Sequence, residues 1–416
     1  MAKRNRVIYQ SEALFVTHQY TGGQFVDIVD GTHITAPTAS WHTLGHGGDG
    51  SEITSGHFHQ IHRIQSANYS FAINRQDVNQ YGNLARIDTA ALEAPTISLD
   101  FTYLVTDGTN EDKLGITTHA DVAQTGALSG ILADTTGRNY HILTVAEGTD
   151  ANASADSGKS ANAANSVISI GNGYITNYSV NAAVGGIPTA SVSVEGLNIT
   201  ADSAGTGMAT PAINTSTSKM GTAKFSLPNP QSGEVGQILR PGDMTVELNE
   251  ATGLLANFTD SNTKNAAHIQ SFSIDVPLGR SIINRMGNTF GFCREIDFPI
   301  TVSASINAIV ADLALEKGRR NLFNELYENK KHNMRIIMRK PSATASSSKS
   351  SANDQIIFEL KGVTLDSESF SSSIGDNKTV DLGFTATVGG GEDIVNGLFI
   401  SGNQIADSQR IDDSNK

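Results

Sequence analysis

An internal repeat limits most strongly what this chain can fold into. Ile64-Gln65-Ser66 recurs as Ile269-Gln270-Ser271, an offset of 205 residues. The match runs on at that spacing, Arg75 with Arg280, Asn79 with Asn284 and Gly82-Asn83 with Gly287-Asn288. Seven of the twenty positions from 64 to 83 are identical, where composition alone gives roughly one. Character is kept between the identities as well, Phe71 against Val276 and Ile73 against Leu278. A repeat of this length predicts that the two segments share a backbone.

Beyond the window the register slips by one residue, Pro95 aligns with Pro299, and alternation follows in both halves. In the second half Ile296, Phe298, Ile300, Val302, Ala304 and Ile306 are expected on one face, with Glu295, Asp297, Thr301, Ser303, Ser305 and Asn307 on the other. In the first half Ile97, Leu99 and Phe101 oppose Thr96, Ser98, Asp100 and Thr102. Each half thus offers a sheet with one packed face and one face of small polar and acidic groups. The Gly-Asn pairs fit a tight reversal or a longer polar loop.

Each half then turns helical. Leu315, Leu322, Phe323 and Leu326 predict a helix over 313–331, with Asp312 as cap and Lys330 and Lys331 at its carboxyl end. Its shorter counterpart over 126–135 carries Leu128, Ile131 and Leu132. Strands are expected at 140–145, 167–181 and 189–199, then at 334–339, 355–370 and 379–388. The fold class expected is mainly β with one flanking helix per half, duplicated in tandem. The boundaries expected are 1–200 for a first domain with an N-terminal arm, 201–239 for a linker or surface excursion, 240–402 for a second domain and 403–416 for a polar tail. Low-complexity stretches at 150–164 and 342–352 fall late in each half.

Composition narrows the class further. The 416 residues carry a net charge of −13, with 38% hydrophobic and 17% charged residues, 40 Gly and 10 Pro. This matches neither collagen, a coiled coil nor a highly charged disordered chain, and it suits short strands joined by turns. The single cysteine, Cys293, excludes an intrachain disulfide or a Cys-rich zinc framework. The basic start runs into Gln10, Ser11 and Glu12 and never becomes a signal-peptide core, and no run of about 18 apolar residues predicts a spanning helix.

Catalytic signals are weak. P-loop, serine-hydrolase elbow, HExxH and EF-hand patterns are absent from the sequence. His42, His46, His57, His59 and His62 could hold a transition metal, but no accompanying spacing favours that over exposed histidines. Gly45-His46-Gly47-Gly48-Asp49-Gly50 lacks the strand-then-helix context of an anion cradle. Glu295 and Asp297 share a face with Ser and Thr and read as solvent-facing charges rather than an acid-base pair. The sequons at Asn68 and Asn198 read as chance matches without an export signal. Lys317, Arg319, Arg320, Lys330, Lys331, Arg335, Arg339 and Lys340 form the basic concentration, expected to face solvent or an acidic neighbouring subunit rather than nucleic acid. No enzyme activity, cofactor or metal is expected.

Ala2-Lys3-Arg4-Asn5-Arg6-Val7-Ile8-Tyr9-Gln10, Ile64-Gln65-Ser66-Ala67-Asn68-Tyr69-Ser70-Phe71, Arg240-Pro241-Gly242-Asp243 and the doubled pattern resemble the major tail tube proteins of long-tailed bacteriophages. The resemblance implies tandem duplicated tube domains, one in each half, each a small β-sandwich or barrel with a flanking helix related to the secreted tube proteins of type VI systems. It implies trimeric, pseudo-hexameric rings stacked into the tail of a virion, more in keeping with a non-contractile tail, and made in the host cytoplasm. The implied partners are further copies of the chain, tape measure, tail terminator and tail-tip proteins, and DNA passing without specific binding. With that reading, Thr96, Ser98, Asp100, Glu295, Asp297, Thr301, Ser303 and Ser305 are the candidate lumen-facing residues, and segments 64–106 and 269–311 the candidate inner wall. The alternative is a two-domain β-sandwich adhesin or other virion surface protein whose Ser, Thr and Asn-rich loops bind carbohydrate.

Overall fold

The computed structural model describes residues 12–18, 24–26, 33–35, 58–118, 126–133, 137–145, 149–152, 165–204, 208–215, 219–220, 224–225, 227, 230, 238–240, 244–248, 268–287, 289–291, 293–309, 331–339, 354–371, 379–390, 393 and 395–402. The fold is mainly β. Fifteen strands join in one hydrogen-bonded network, and its centre is an eight-strand antiparallel sheet. In spatial order this sheet holds the later part of Asp354–Ser371, then Thr379–Val388, Ile300–Ile309, His268–Pro277, the later part of Ser166–Ala183, Thr189–Gly196, Thr96–Leu104 and Ile64–Ala72.

Two further sets of strands continue from it. Residues 12–203 contribute His59–Ile61, Glu12–His18, Arg138–Thr144, the earlier part of Ser166–Ala183 and Asn198–Ser203, in that order of pairing. Residues 244–402 contribute Met244–Leu248, His332–Arg339, the earlier part of Asp354–Ser371 and Gly397–Gly402. Apart from the short His59–Ile61, the order of pairing is the same in both sets.

Each half is pinned by one 18-residue strand that leaves one sheet and enters the other. A strand can do this only where its backbone bends, and both bend at a residue with positive φ, Asn172 (54°) and Gly362 (69°). Gly171 lies opposite Asn198 and Lys361 opposite Gly397, so the two bends occupy the same place in the two pairings. A second irregularity follows in each strand, between Ile175 and Asn177 and between Leu365 and Ser367. Asn172 also anchors its corner, its amide donating to the Ile213 carbonyl at 3.0 Å and its side-chain oxygen accepting from the Ile213 N–H at 2.7 Å.

The core lies on the side of the eight-strand sheet that the other strands cover. Ile97, Leu99, Phe101, Val192, Val194, Ile274, Val302, Ile306, Leu382 and Phe384 are buried there, together with Leu14, Tyr140, Ile142, Met334, Ile336 and Phe358 from the covering strands. Phe101 and Tyr140 meet across the two layers with ring centroids 6.2 Å apart. Burying each large apolar side chain contributes about 1.5–3 kcal/mol, so alternation written into the strands decides which face turns inward.

Sequence and structure agree on most strands: Arg138–Thr144, Ser166–Ala183, Thr189–Gly196, His332–Arg339, Asp354–Ser371 and Thr379–Val388 overlap the expected segments. The short helix Ser129–Ala133 falls inside the expected 126–135. A second, Thr109–Lys113, was not anticipated; Gly108 (φ 81°) precedes it and Glu111 and Asp112 occupy its first turn. The helix expected over 313–331 lies outside the described residues except for Lys331, as do residues 1–11, 342–352 and 403–416. Within 201–239, Met208–Ala209 pairs with Lys224–Phe225 and Ile213–Asn214 with Lys219–Met220, while Met208, Ala212 and Leu239 are buried. Among the described residues no helix is long and apolar enough to cross a membrane.

One expectation fails. The alternation over 295–307 is not one strand: Cys293–Ile296 pairs with Arg280–Ile283 in a separate two-stranded ribbon, and Ile300–Ile309 begins afresh in the central sheet. The break is Asp297-Phe298-Pro299, where proline has no N–H for a ladder. Phe298, expected inward, is 61% exposed.

Candidate functional site: a polar sheet face between two open edges

The face of the eight-strand sheet opposite the core is made mainly of small polar and acidic residues. Antiparallel register sets its residues side by side: Asn68 beside Asp100, Asp100 beside Ser193, Ser179 beside Ser191 and Asp275, Asp275 beside Ser303, Ser303 beside Thr385, and Asn307 beside Asp381. Small hydroxyls tie neighbouring strands together, Ser66 with Thr102, Ser70 with Ser98 and Ser273 with Ser305, each at 2.8 Å. The Asn177 amide donates to Asp275 at 3.1 Å, and the Asn307 amide donates to Asp381. The strands bring Asp100, Glu195, Asp275 and Asp381 to this face and, among the described residues, no Lys or Arg, although Arg294 from the ribbon Arg280–Ile283/Cys293–Ile296 pairs with Glu195.

Six of the eight residues singled out from sequence meet on this face: Thr96, Ser98 and Asp100 on one strand and Thr301, Ser303 and Ser305 on another. Thr96, Asp100, Thr301, Ser303 and Ser305 are exposed and Ser98 partly so. Glu295 and Asp297 stand apart from the sheet, on or just beyond the ribbon, where Ser281 donates to Asp297 at 2.6 Å. The sequence reading missed Glu195, Asp275 and Asp381. Ser191-Val192-Ser193-Val194-Glu195 carries a readable alternation, but only the register shows that these acids join one surface.

The sheet is continuous through the middle because His268–Pro277 pairs with the later part of Ser166–Ala183, from Asn177 opposite Pro277 to Ala183 opposite Ser271. Leu278 N–H donates to the Thr176 carbonyl and Val184 N–H to the Gln270 carbonyl, each at 2.8 Å. The Arg280 guanidinium lies 4.7 Å over the Tyr174 ring, and Arg294, only 7% exposed, reaches Glu195 at 3.1 Å. The two ends of the sheet are different: among the described residues no strand lies outside Ile64–Ala72 or outside the later part of Asp354–Ser371.

Behind the face, Glu111 is buried and accepts hydrogen bonds from Tyr103 Oη at 2.9 Å and Tyr178 Oη at 3.1 Å. Burial raises its carboxyl pKa against the opposing effect of those bonds. Of the histidine cluster only His59 and His62 are described; His42, His46 and His57 lie outside the described residues. Among the described residues no group of three metal-ligating side chains converges. The expected basic surface is also changed: Arg335 and Arg339 are each 5% exposed, and Arg339 donates to Thr245 Oγ1 at 3.0 Å. Their strand is covered on both sides by Met244–Leu248 and Asp354–Ser371.

No protein-family model matches the chain, and no curated protein matches it. Among solved structures, the tail of an empty gene transfer agent particle, refined with C6 symmetry, is 11% identical, covering 39% of this chain and 98% of its own at a TM-score of 0.24. The virion of a native gene transfer agent particle is 9% identical, covering 39% and 98%, with a TM-score of 0.20. An Hcp protein crystal structure is 8% identical, covering 38% and 97%, with a TM-score of 0.21. Likeness at this level defines neither the fold nor the function of this chain.

Proposed function

We propose that the chain is the major tube protein of a long-tailed, non-contractile bacteriophage tail. In this reading it assembles as trimeric rings of six similar domains, which stack into a conduit for DNA. The polar face carries the proposal: it crosses both halves without interruption, its strands bear acids and no Lys or Arg among the described residues, and the Arg294 that reaches it is buried against Glu195. Such a wall repels phosphate and offers it few cations to bind, so a polyanion can slide past. The recurring order of strand pairing supports two copies of one domain, with 201–239 between them. Head-to-tail contacts around a three-fold axis close a ring, and stacking repeats it along the axis. The role is structural rather than catalytic. Its partners are further copies of the chain and the tape measure, terminator and tail-tip proteins, within a virion made in the host cytoplasm.

Negative-stain electron microscopy of the purified chain, with light scattering for its mass, tests this reading. Rings with three-fold or apparent six-fold symmetry, or hollow tubes, are expected. A monomer at high concentration with saturable glycan binding would instead favour an adhesin.

A further inference from the structure

We propose that a cavity between the two halves of the chain binds one inorganic oxyanion of the phosphate or sulfate type, held between the guanidinium groups of Arg138 and Arg280. The site lies within a single chain and stands whether or not the chain forms tubes.

The cavity, of about 260 Å³, lies at the corner where Ser166–Ala183 passes from one sheet to the other. Arg138, Tyr140 and Tyr174 line it from the first half and Arg280 from the second. Two glycines shape it. A Cβ on Gly137 would stand 3.1 Å from the Tyr174 ring, and one on Gly173 2.7 Å from the Tyr140 ring, so both rings lie directly against bare backbone. Arg280 is held in place by the same ring, its guanidinium 4.7 Å above Tyr174.

The chemistry of the wall selects the ligand. Its two charged side chains are both guanidiniums, and among the described residues no Asp or Glu lines it. Arg138 donates to the Lys113 carbonyl and Arg280 to the Arg294 carbonyl, each at 3.4 Å. Those carbonyls carry no formal charge, and each guanidinium has five donors. Glu195, which register sets opposite Tyr174, is engaged by Arg294 at 3.1 Å. Leu114 and Ile131 close the cavity with apolar surface, where attraction between a guanidinium and an anion is stronger than in water. A planar fork bonds two oxygens at once, which favours an oxyanion over a halide.

The recess is a place for a free ion rather than for a phosphate of duplex DNA: Arg138 is 6% exposed and Tyr174 7%. It also occurs once. At the equivalent pairing of the second half His332 lies opposite Val363, where Arg138 lies opposite Gly173, so both the guanidinium and the bare backbone are lost there. One ion per chain is expected, not two. Because its ligands come from both halves, the ion ties one to the other.

Equilibrium dialysis of the full chain against radiolabelled inorganic phosphate tests the site. Binding should saturate at one ion per chain, with sulfate competing and chloride at matched ionic strength failing to compete. Arg138→Gln and Arg280→Gln should each weaken it about tenfold or more, and Arg138→Lys, which keeps the charge and loses the fork, by less. Arg86→Gln, at the exposed pair with Asp77, should leave it unchanged. Phosphate should also raise the thermal midpoint of the wild type by about 2–4 °C over chloride, an increment that Arg138→Gln should lose. The wild-type stoichiometry and ion selectivity need no variant to fold. Binding that fails to saturate, two ions per chain, or binding that survives both glutamine variants overturns the site. An equal rise in midpoint for wild type and variants is a bulk salt effect and overturns it as well. Competition by duplex DNA as effective as that by sulfate overturns the assignment to a free ion.

Discussion

Glu111 shows how much of this molecule a sequence keeps hidden. In the polar run Asp107 to Lys113 nothing marks this glutamate as buried. It is instead 1% exposed, held by hydroxyls from Tyr103 on one strand and Tyr178 on another. Replacing it by alanine strands two buried phenols, so Glu111→Ala should cost about 1–3 kcal/mol in denaturant unfolding. Tyr178→Phe, which removes one donor, should cost less. Histidines set the acid response. His62 is lowered to about 4 by burial and then by the charges of Lys113 and Arg63, and His141 to about 3 by burial alone. Both stay neutral in the fold while the unfolded chain takes up protons near 6.5. Their contribution is therefore complete above 6.5 and lost as pH falls through 4 and 3. Glu111 acts in the opposite sense, since its raised pKa favours the fold at low pH and disfavours it as pH rises through the folded value. Glu12, also raised by burial, acts with Glu111, while the histidine contribution falls between pH 6.5 and 4, and His141→Gln should flatten that part of the pH dependence in a series of urea melts.

At the scale of elements, alternation made the strands readable and left the corners unreadable. Ile97, Leu99 and Phe101 faced inward as their spacing required, as did Ile300, Val302, Ala304 and Ile306. A period of two is blind to where a strand stops, however, and so it carried the reading straight through Pro299. The bends were hidden for another reason: Asn172 in one half is glycine, Gly362, in the other, so identity does not mark their equivalence. Glycine takes φ near 60° freely and asparagine at little cost, whereas a β-branched residue there is strained. Asn172→Val and Gly362→Val should each destabilise by about 1–3 kcal/mol. Asn172→Gly should keep the bend and lose only the two hydrogen bonds to Ile213. Comparing the three by thermal unfolding separates backbone strain from side-chain anchoring.

For the whole molecule the deciding property is a surface rather than a residue. The repeat at 205 residues was legible, and so was a polar face in each half. That the two faces run together was not, because their continuity depends on His268–Pro277 pairing with a strand about ninety residues earlier. If the face lines a channel for DNA, its scarcity of exposed cations is functional. Ser191→Lys with Ser303→Lys should leave assembly intact yet make the particles retain DNA. The added log-log salt slope should be roughly one unit per new phosphate contact in a filter-binding assay. The most direct measurement is a cryo-electron microscopy reconstruction of the assembled particle, resolved well enough to follow strands. The account predicts a closed ring of sheets with Asp100, Asp275 and Ser303 facing a central channel. A reconstruction with those residues on the outer surface, or buried between stacked rings, would contradict it.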